Sequence, residues 1–265
     1  MQSPANFAIT KDNILVSRKT QQLNYKLKSK KIMQFKIDQS ILDKFSDVKL
    51  GLLVAKGIDN TGRNKQAIAK QQETEKEVRT KLEIETLADH PKIKDWRDAY
   101  STFGAKPKTY KNSVEALLRR VLKGDSLPII NNLVTTYNTI SIKHMLPAGG
   151  DDLDKINGDI CLTIAQGSEQ FTMLGGKESE TVEAGEVIYR DDKEVLCRRW
   201  NWRECDKSKM AETTKNVCIV LEGLSNTSEK ELKIALEELQ QDVQKVCGGK
   251  SEMYVLNKEN SFVEF

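Results

Sequence analysis

Three stretches of this 265-residue sequence hold more polar specificity than packing alone requires. In WRDAYSTFGAKPKTYKNSVEALLRR (96–120), Lys106, Lys108, Lys111, Arg119 and Arg120 are interleaved with Tyr100, Phe103 and Tyr110. Cations set among aromatics suit phosphate contacts combined with base stacking. The alternative is a solvated helix pair with ordinary aromatic packing. In NNLVTTYNTISIKHMLPAGGDD (131–152), Asn131 and Thr135 fall one helical turn apart, with Asn138 three residues further on. Such a row can line a pocket for a polar ligand. Gly149 and Gly150 allow close backbone approach, and the adjacent Asp151 and Asp152 can hold an ammonium group or act as a general base. The same residues also read as a polar helix end, a loop and an Asp cap, and His144 as a surface or packed histidine. In AGEVIYRDDKEVLCRRWNWREC (184–205), strand alternation puts Arg198, Trp200 and Trp202 on one face. An apolar wall with a guanidinium suits a planar or carboxylate ligand; an Arg stacked on Trp purely for packing is the alternative.

The elements that must position these residues follow from pattern. The segment 48–59, VKLGLLVAKGID, is continuously apolar and reads as a buried strand. Residues 63–89 are charged and free of Gly and Pro, with Ala67, Val78, Leu82 and Leu87 as inward positions, which predicts a long surface helix ended by His90-Pro91. A short helix follows with Trp96 and Tyr100 at i, i+4, closed by Gly104. Asn112 or Ser113 caps the next, which ends at Gly124. Residues 127–143 predict a buried helix, and AGGDD after Pro147 a glycine turn. Downstream, GDICLTIAQG, GEVIYRD, EVLCRRWNW and NVCIVLEGL read as strands. Ser228 and Glu231 form a capping box for a helix through Val246, and YVLN (254–257) reads as a last strand. Helices first and strands later argue an α+β single domain with a mixed sheet and flanking helices.

Composition narrows the class. No apolar run approaches the roughly 20 residues of a spanning helix, and the first thirty residues lack the apolar core of a secretory signal. Net charge is +3, but residues 1–124 carry 26 basic against 14 acidic residues, and the remainder 16 against 25. That split fits a basic face for a polyanion, or a chance segregation that folding intermixes. Five cysteines with no CxxC pair point to reduced thiols and a cytoplasmic setting. His90 and His144 stand far from any cysteine pair, so neither metal nor cofactor is expected. No Gly-rich loop with a P-loop lysine occurs, which removes a kinase or NTPase reading. Residues 1–32, with seven basic residues against one acidic up to Lys31, are expected to be a poorly ordered tail or leader, and 33–265 one domain.

Taken in order, WRxxYxxFGxKPK (96–108), SVEALLRR (113–120), LPIINNLVTTYNTISI (127–142), LPAGGDD (146–152) and GEVIYRDDxxVLCRRWNWR (185–203) resemble the tRNA-binding and editing module of the phenylalanyl-tRNA synthetase beta subunit, over roughly residues 48–248. The resemblance implies a compact α+β domain that takes the aminoacylated 3′ end of a tRNA and hydrolyses the ester of a wrongly attached amino acid. It implies a pocket built from Asn132, Thr135, Tyr137, Asn138, the Pro147 to Asp152 turn and the Arg198 to Trp202 strand. Gly149 and Gly150 N–H groups would then hold the oxyanion, and Asp151 or Asp152 the ammonium or the water. The family's editing site uses a histidine near this loop, whereas here His144 precedes LPAGGDD. The open alternatives are a non-catalytic tRNA-binding module and an amino-acid-binding domain. Oligomeric state is not readable from sequence.

Overall fold

The structure is a computed structural model that describes residues 32–265. Residues 1–31, and with them the expected basic tail or leader, lie outside the described part. Gln34–Phe265 forms one compact unit. In chain order it runs β1 (Gln34–Ile37), α1 (Gln39–Lys44), β2 (Lys49–Lys56), α2 (Lys65–Lys81), α3 (Pro91–Thr102), α4 (Ser113–Leu122), α5 (Asn132–His144), β3 (Ala148–Asp152), β4 (Ile160–Ile164), β5 (Gln170–Thr172) and β6 (Ser179–Thr181). It continues with β7 (Val187–Arg190), β8 (Val195–Arg198), β9 (Arg203–Glu204), β10 (Asn216–Gly223), α6 (Glu229–Cys247), β11 (Lys250–Leu256) and β12 (Phe262–Glu264). The result is α+β, as the pattern predicts.

Two sheets organise the chain. One is mixed, in the order β12-β1-β4-β7-β8-β9, with β1 parallel to β4; the other is antiparallel, β11-β2-β10-β3; β5 and β6 form a small ribbon. The central strands of the antiparallel sheet, β2 and β10, are buried on both faces. On β10, Val217, Ile219 and Leu221 join the core under α5 and α6, so alternation sends Cys218, Val220 and Glu222 to the opposite face. On β2, Leu53 and Ala55 belong to that same core while Leu50, Leu52 and Val54 are buried on the other side. This explains why β2 is continuously apolar and does not alternate. The α6 stripe of Leu232, Ala235, Leu236, Leu239 and Val243 covers the sheet, and its capping box forms as predicted. Gly51 makes that close approach possible, since a Cβ there would already touch Leu232 at 3.3 Å.

Several expectations are corrected. The helix predicted to Asp89 stops at Lys81; Leu82 is extended, and Leu87 enters the core through a short 3₁₀ turn. The inner face of α2 is polar as well as apolar. Gln71, Thr74 and Glu75 are buried, and Glu75 accepts the Leu127 N–H at 2.8 Å. Residues 127–131 precede α5 instead of forming its first turn, because the Asn131 side chain caps the helix by accepting the Val134 N–H at 3.0 Å. AGGDD is strand β3, on the edge of the antiparallel sheet against β10. β2 falls within the strand expected at 48–59, whereas β1 and the helix α1, which precede it, are not among the expected elements, and β12 returns to pair with β1. No helix among the described residues is long and apolar enough to cross a membrane.

Candidate functional site

Where β3 and β10 face β1, β7 and β8, the two sheets enclose a cavity of about 20 Å³, room for about one water-sized group. Three carboxylates line it, Asp151 from β3, Glu204 from β9 and Glu222 from β10, together with Phe35, Tyr189 and Trp200. No lysine or arginine is among the lining residues.

Each side chain arrives by a local rule. Glu222 shares its face of β10 with Val220, so the strand period turns it toward the second sheet. There the Tyr189 hydroxyl donates to Glu222 Oε1 and the Asn201 amide donates to Glu222 Oε2. Tyr100, from α3, donates its hydroxyl to Asn201 Oδ1 at 2.8 Å, which fixes the amide orientation that feeds Glu222. The Trp200 indole N–H, fully buried at the same wall, has no partner in hydrogen-bond geometry. Burial pushes the Glu222 carboxyl up to about 7 against these donors.

The β3 edge follows from its ladder. The Glu222 N–H bonds Pro147 O at 3.0 Å, so the backbone groups of Pro147, Gly149 and Asp151 face β10, while those of Ala148, Gly150 and Asp152 turn away. Of the two glycine N–H groups, therefore, the Gly150 one lies on the open edge and the Gly149 one is used in the sheet. Side chains alternate in step. At Gly149 an added Cβ would lie 2.5 Å from Glu204 Oε1, so the missing side chain is what admits that carboxylate. Asp151, on the same face, accepts from Ser208 Oγ at 2.5 Å, and Ser208 lies 3.0 Å from Cys205 Sγ. Burial raises Asp151 to about 6, against the Ser208 hydrogen bond that lowers it. Glu204 is raised well above the carboxylate range, first by burial, then by Asp151 and Glu222. Three acids near one small cavity cannot all ionise without a compensating positive group.

The structure separates the remaining sequence candidates. Asp152 points to the other face, where it accepts from Thr214 Oγ1 at 2.8 Å and caps the 3₁₀ turn Leu153–Lys155, the capping role left open by the sequence. Asn132 holds the loop before α2, donating to Thr61 O at 3.0 Å and accepting the Asn64 N–H at 2.8 Å. Thr135 is buried with its hydroxyl unpartnered, and Asn138 is buried on α5; neither lines the cavity. Tyr137 packs against the core under α6, and its hydroxyl is pushed up by burial and by Glu204 and Asp151. Pro147 contributes its carbonyl to β10.

The expected face of Arg198, Trp200 and Trp202 does not exist, because the strand ends at Arg198. Arg199 and Trp200 take positive φ, 45° and 65°, and the turn rotates alternate side chains out of register. Trp200 enters an aromatic cluster with Phe45 and Trp96, at 4.9 and 5.0 Å between ring centroids. Arg198 is buried in ion pairs with Glu186 and Glu180, so its charge is already compensated. In the first segment Lys106, Lys108 and Arg120 are exposed and Lys111 is half-buried. Arg119 is tied with Arg97 to the fully buried Glu115. The cavity residues that sequence reasoning missed are Phe35, Tyr189, Cys197, Glu204, Val220 and Glu222. One signal was available: an acid within the apolar run NVCIVLEG.

His144 lies on the far side of α5, where its Nε2 is 2.8 Å from Glu238 Oε2. Burial alone would raise Glu238, but hydrogen bonds from Lys143, Lys70 and His144 outweigh it and hold the carboxyl near 2. A folded pKa below the ordinary 4.5 stabilises the fold above pH 4.5, and that contribution disappears as pH falls toward 2. Glu238→Gln is therefore less stable than the parent at pH 6 to 7, and the two denaturation midpoints converge as the pH is lowered through about 4 to 2. A constant difference across that range would mean that Glu238 does not act through its charge.

Among the described residues no cluster of His, Cys, Asp and Glu is arranged to hold a metal ion. The B3/4 domain profile matches residues 95–248, a span containing every cavity residue except Phe35. The phenylalanine–tRNA ligase beta subunit of Fusobacterium nucleatum subsp. nucleatum is 29% identical over 79 residues, 30% of this chain and 10% of that protein. An N-terminal fragment of the phenylalanyl-tRNA synthetase beta subunit from Pyrococcus horikoshii superposes with a TM-score of 0.43 at 14% identity, over 82% of this chain and 49% of the fragment. The matches thus span about a tenth of the curated relative and half of the solved fragment. With more than half of its length matched, the chain belongs to the B3/4 domain family.

Proposed function

We propose that the domain binds the aminoacylated 3′ end of a tRNA and hydrolyses the ester bond of a mischarged amino acid at the cavity between the two sheets. Family membership and the partial match to a phenylalanine–tRNA ligase beta subunit support the tRNA partner. The observation that carries the hydrolytic reading is Asp151, raised to about 6 and lining the same cavity as the glycine edge. A base titrating near neutrality is suited to activating water.

In this reading a water bonds to the ester carbonyl carbon while Asp151 takes one of its protons. The carbonyl oxygen becomes an oxyanion beside the edge N–H of Gly150. When the carbon–oxygen bond to the ribose breaks, the proton held by Asp151 passes to the ribose oxygen. Glu204 and Glu222, both raised by burial, ionise on this reading only as the substrate's α-ammonium group approaches the cavity mouth. The cavity has room for about one water-sized group, so on this reading it takes the attacking water, and the ester lies at its mouth along the β3 edge with the aminoacyl end outside. Five free cysteines and an RNA partner support a cytoplasmic setting on this reading.

The test is a panel of tRNAs carrying labelled cognate and non-cognate amino acids. At least one mischarged species loses label faster than without protein; a panel with no loss above the uncatalysed rate overturns the proposal. One observation favours binding without hydrolysis: His144 pairs with Glu238 and His90 lies at the start of α3, so no imidazole lines the cavity. That second reading expects salt-sensitive tRNA binding and no release of label.

A further inference from the structure

We infer that the outer side of the 199–204 turn is a stacking platform for unpaired nucleotides of a single-stranded RNA. The turn sends Trp200, Asn201 and Glu204 to the cavity and leaves Trp202 half-buried and Arg203 exposed on the other side. Tyr110 meets Trp202 edge-on, with centroids 5.0 Å apart and planes at 83°. The Arg199 guanidinium lies 4.0 Å from the Tyr110 centroid and 4.9 Å from that of Trp202. Arg203 lies 5.2 Å from the Trp202 ring.

These groups differ in how they are held. Arg199 is almost fully buried and anchored 3.3 Å from Glu186, so it fixes the two rings from behind. Arg203 has no carboxylate partner among the described residues, and neither do Lys106 and Lys108 on the loop that delivers Tyr110. A rigid aromatic pair with an uncommitted guanidinium over one ring presents a flat surface for a nucleobase, by stacking on the ring or on the guanidinium plane. The unpaired lysines beside it supply phosphate contacts. That combination favours single strands, because a duplex hides its base faces.

The inference rests on the tRNA reading for its choice of RNA, but its residues touch neither Asp151 nor the ester. It is tested on the full chain with an unacylated single-stranded RNA of about eight nucleotides ending in CCA. Equal lengths of duplex RNA, inorganic polyphosphate and an acidic peptide serve as comparison probes. Of the three tryptophans, Trp96 and Trp200 are buried, so quenching of intrinsic fluorescence reports Trp202. The single strand quenches and binds about 10-fold or more tighter than the duplex. With affinity read from the fluorescence anisotropy of an end-labelled strand, Arg203→Glu weakens binding by about 10-fold with an unchanged circular dichroism spectrum, Trp202→Leu weakens it similarly, and Trp202→Phe restores part of the lost affinity. Equal affinity for all four probes, or unchanged affinity in both Arg203→Glu and Trp202→Leu, overturns the platform. Ester hydrolysis without oligonucleotide binding removes the platform and leaves the proposed function. Binding without hydrolysis across the charged-tRNA panel does the reverse.

Discussion

Asp151→Asn lowers ester hydrolysis by about 100-fold or more and, at neutral pH, raises Tm by several degrees. The two effects have one cause. In the fold Asp151 is buried, and its carboxyl is raised from 3.8 to about 6. Between those values the folded state holds a proton that the unfolded state has released, so stability falls as pH rises through the window and stays reduced above it. Asparagine removes that titration while keeping an oxygen for the Ser208 hydroxyl, which donates to Asp151 Oδ1 at 2.5 Å. It also removes the group proposed to take a proton from water. In the parent, kcat/KM therefore rises with pH through about 6 and then levels. In Asp151→Asn the residual rate lacks that inflection. A variant that is inactive and less stable would reveal a structural acid, and one that is active with the same pH profile would remove Asp151 as the base.

That prediction depends on a site only half legible in the sequence. Elements defined by local rules were readable. The Ser228 and Glu231 capping box, the Asn112 cap and the apolar run of β2 involve residues close in sequence, so nothing distant can override them. The misread elements all depend on tertiary contacts. AGGDD looks like a turn because glycine is permissive, but β10 on one side makes it an edge strand. CRRWNW looks like an alternating strand, yet it contains two left-handed non-glycine residues that no local signal marks. Trp96 and Phe45, distant in sequence, hold Trp200 in that conformation. The acids were missed for a related reason. In a strand with one solvated face Glu222 would be an outward residue, and it becomes a cavity wall only because a second sheet covers that face. The resemblance puts Gly149, Gly150 and Asp151 in a pocket and these residues line the cavity, but alternation along β3 decides that Asp151 faces it and Asp152 does not.

Gly150→Ala costs about 3 kcal/mol, at the upper end of ordinary overpacking, and lowers Tm by about 6–12 °C, whereas Gly149→Ala costs about 1 kcal/mol or less. The two glycines are adjacent, and their difference in stability comes from what a Cβ would meet. At Gly150 it would lie 2.3 Å from Cys218 O and 2.9 Å from Ile219 Cα, backbone atoms of β10 that cannot yield without breaking the ladder. Met210 Cε at 2.6 Å closes the remaining side, so β3 must move away from β10. At Gly149 the nearest atom is Glu204 Oε1 at 2.5 Å, the end of a side chain that can rotate. The functional consequences run the other way. Gly149→Ala keeps the strand and displaces Glu204 from the cavity, so it changes binding of the aminoacyl end with little loss of fold. Gly150→Ala shifts the edge N–H and Asp151 together, and its activity falls with its stability. Thermal unfolding of both variants alongside deacylation kinetics separates these outcomes. Equal destabilisation of the two would show that β3 is held by something other than its contact with β10.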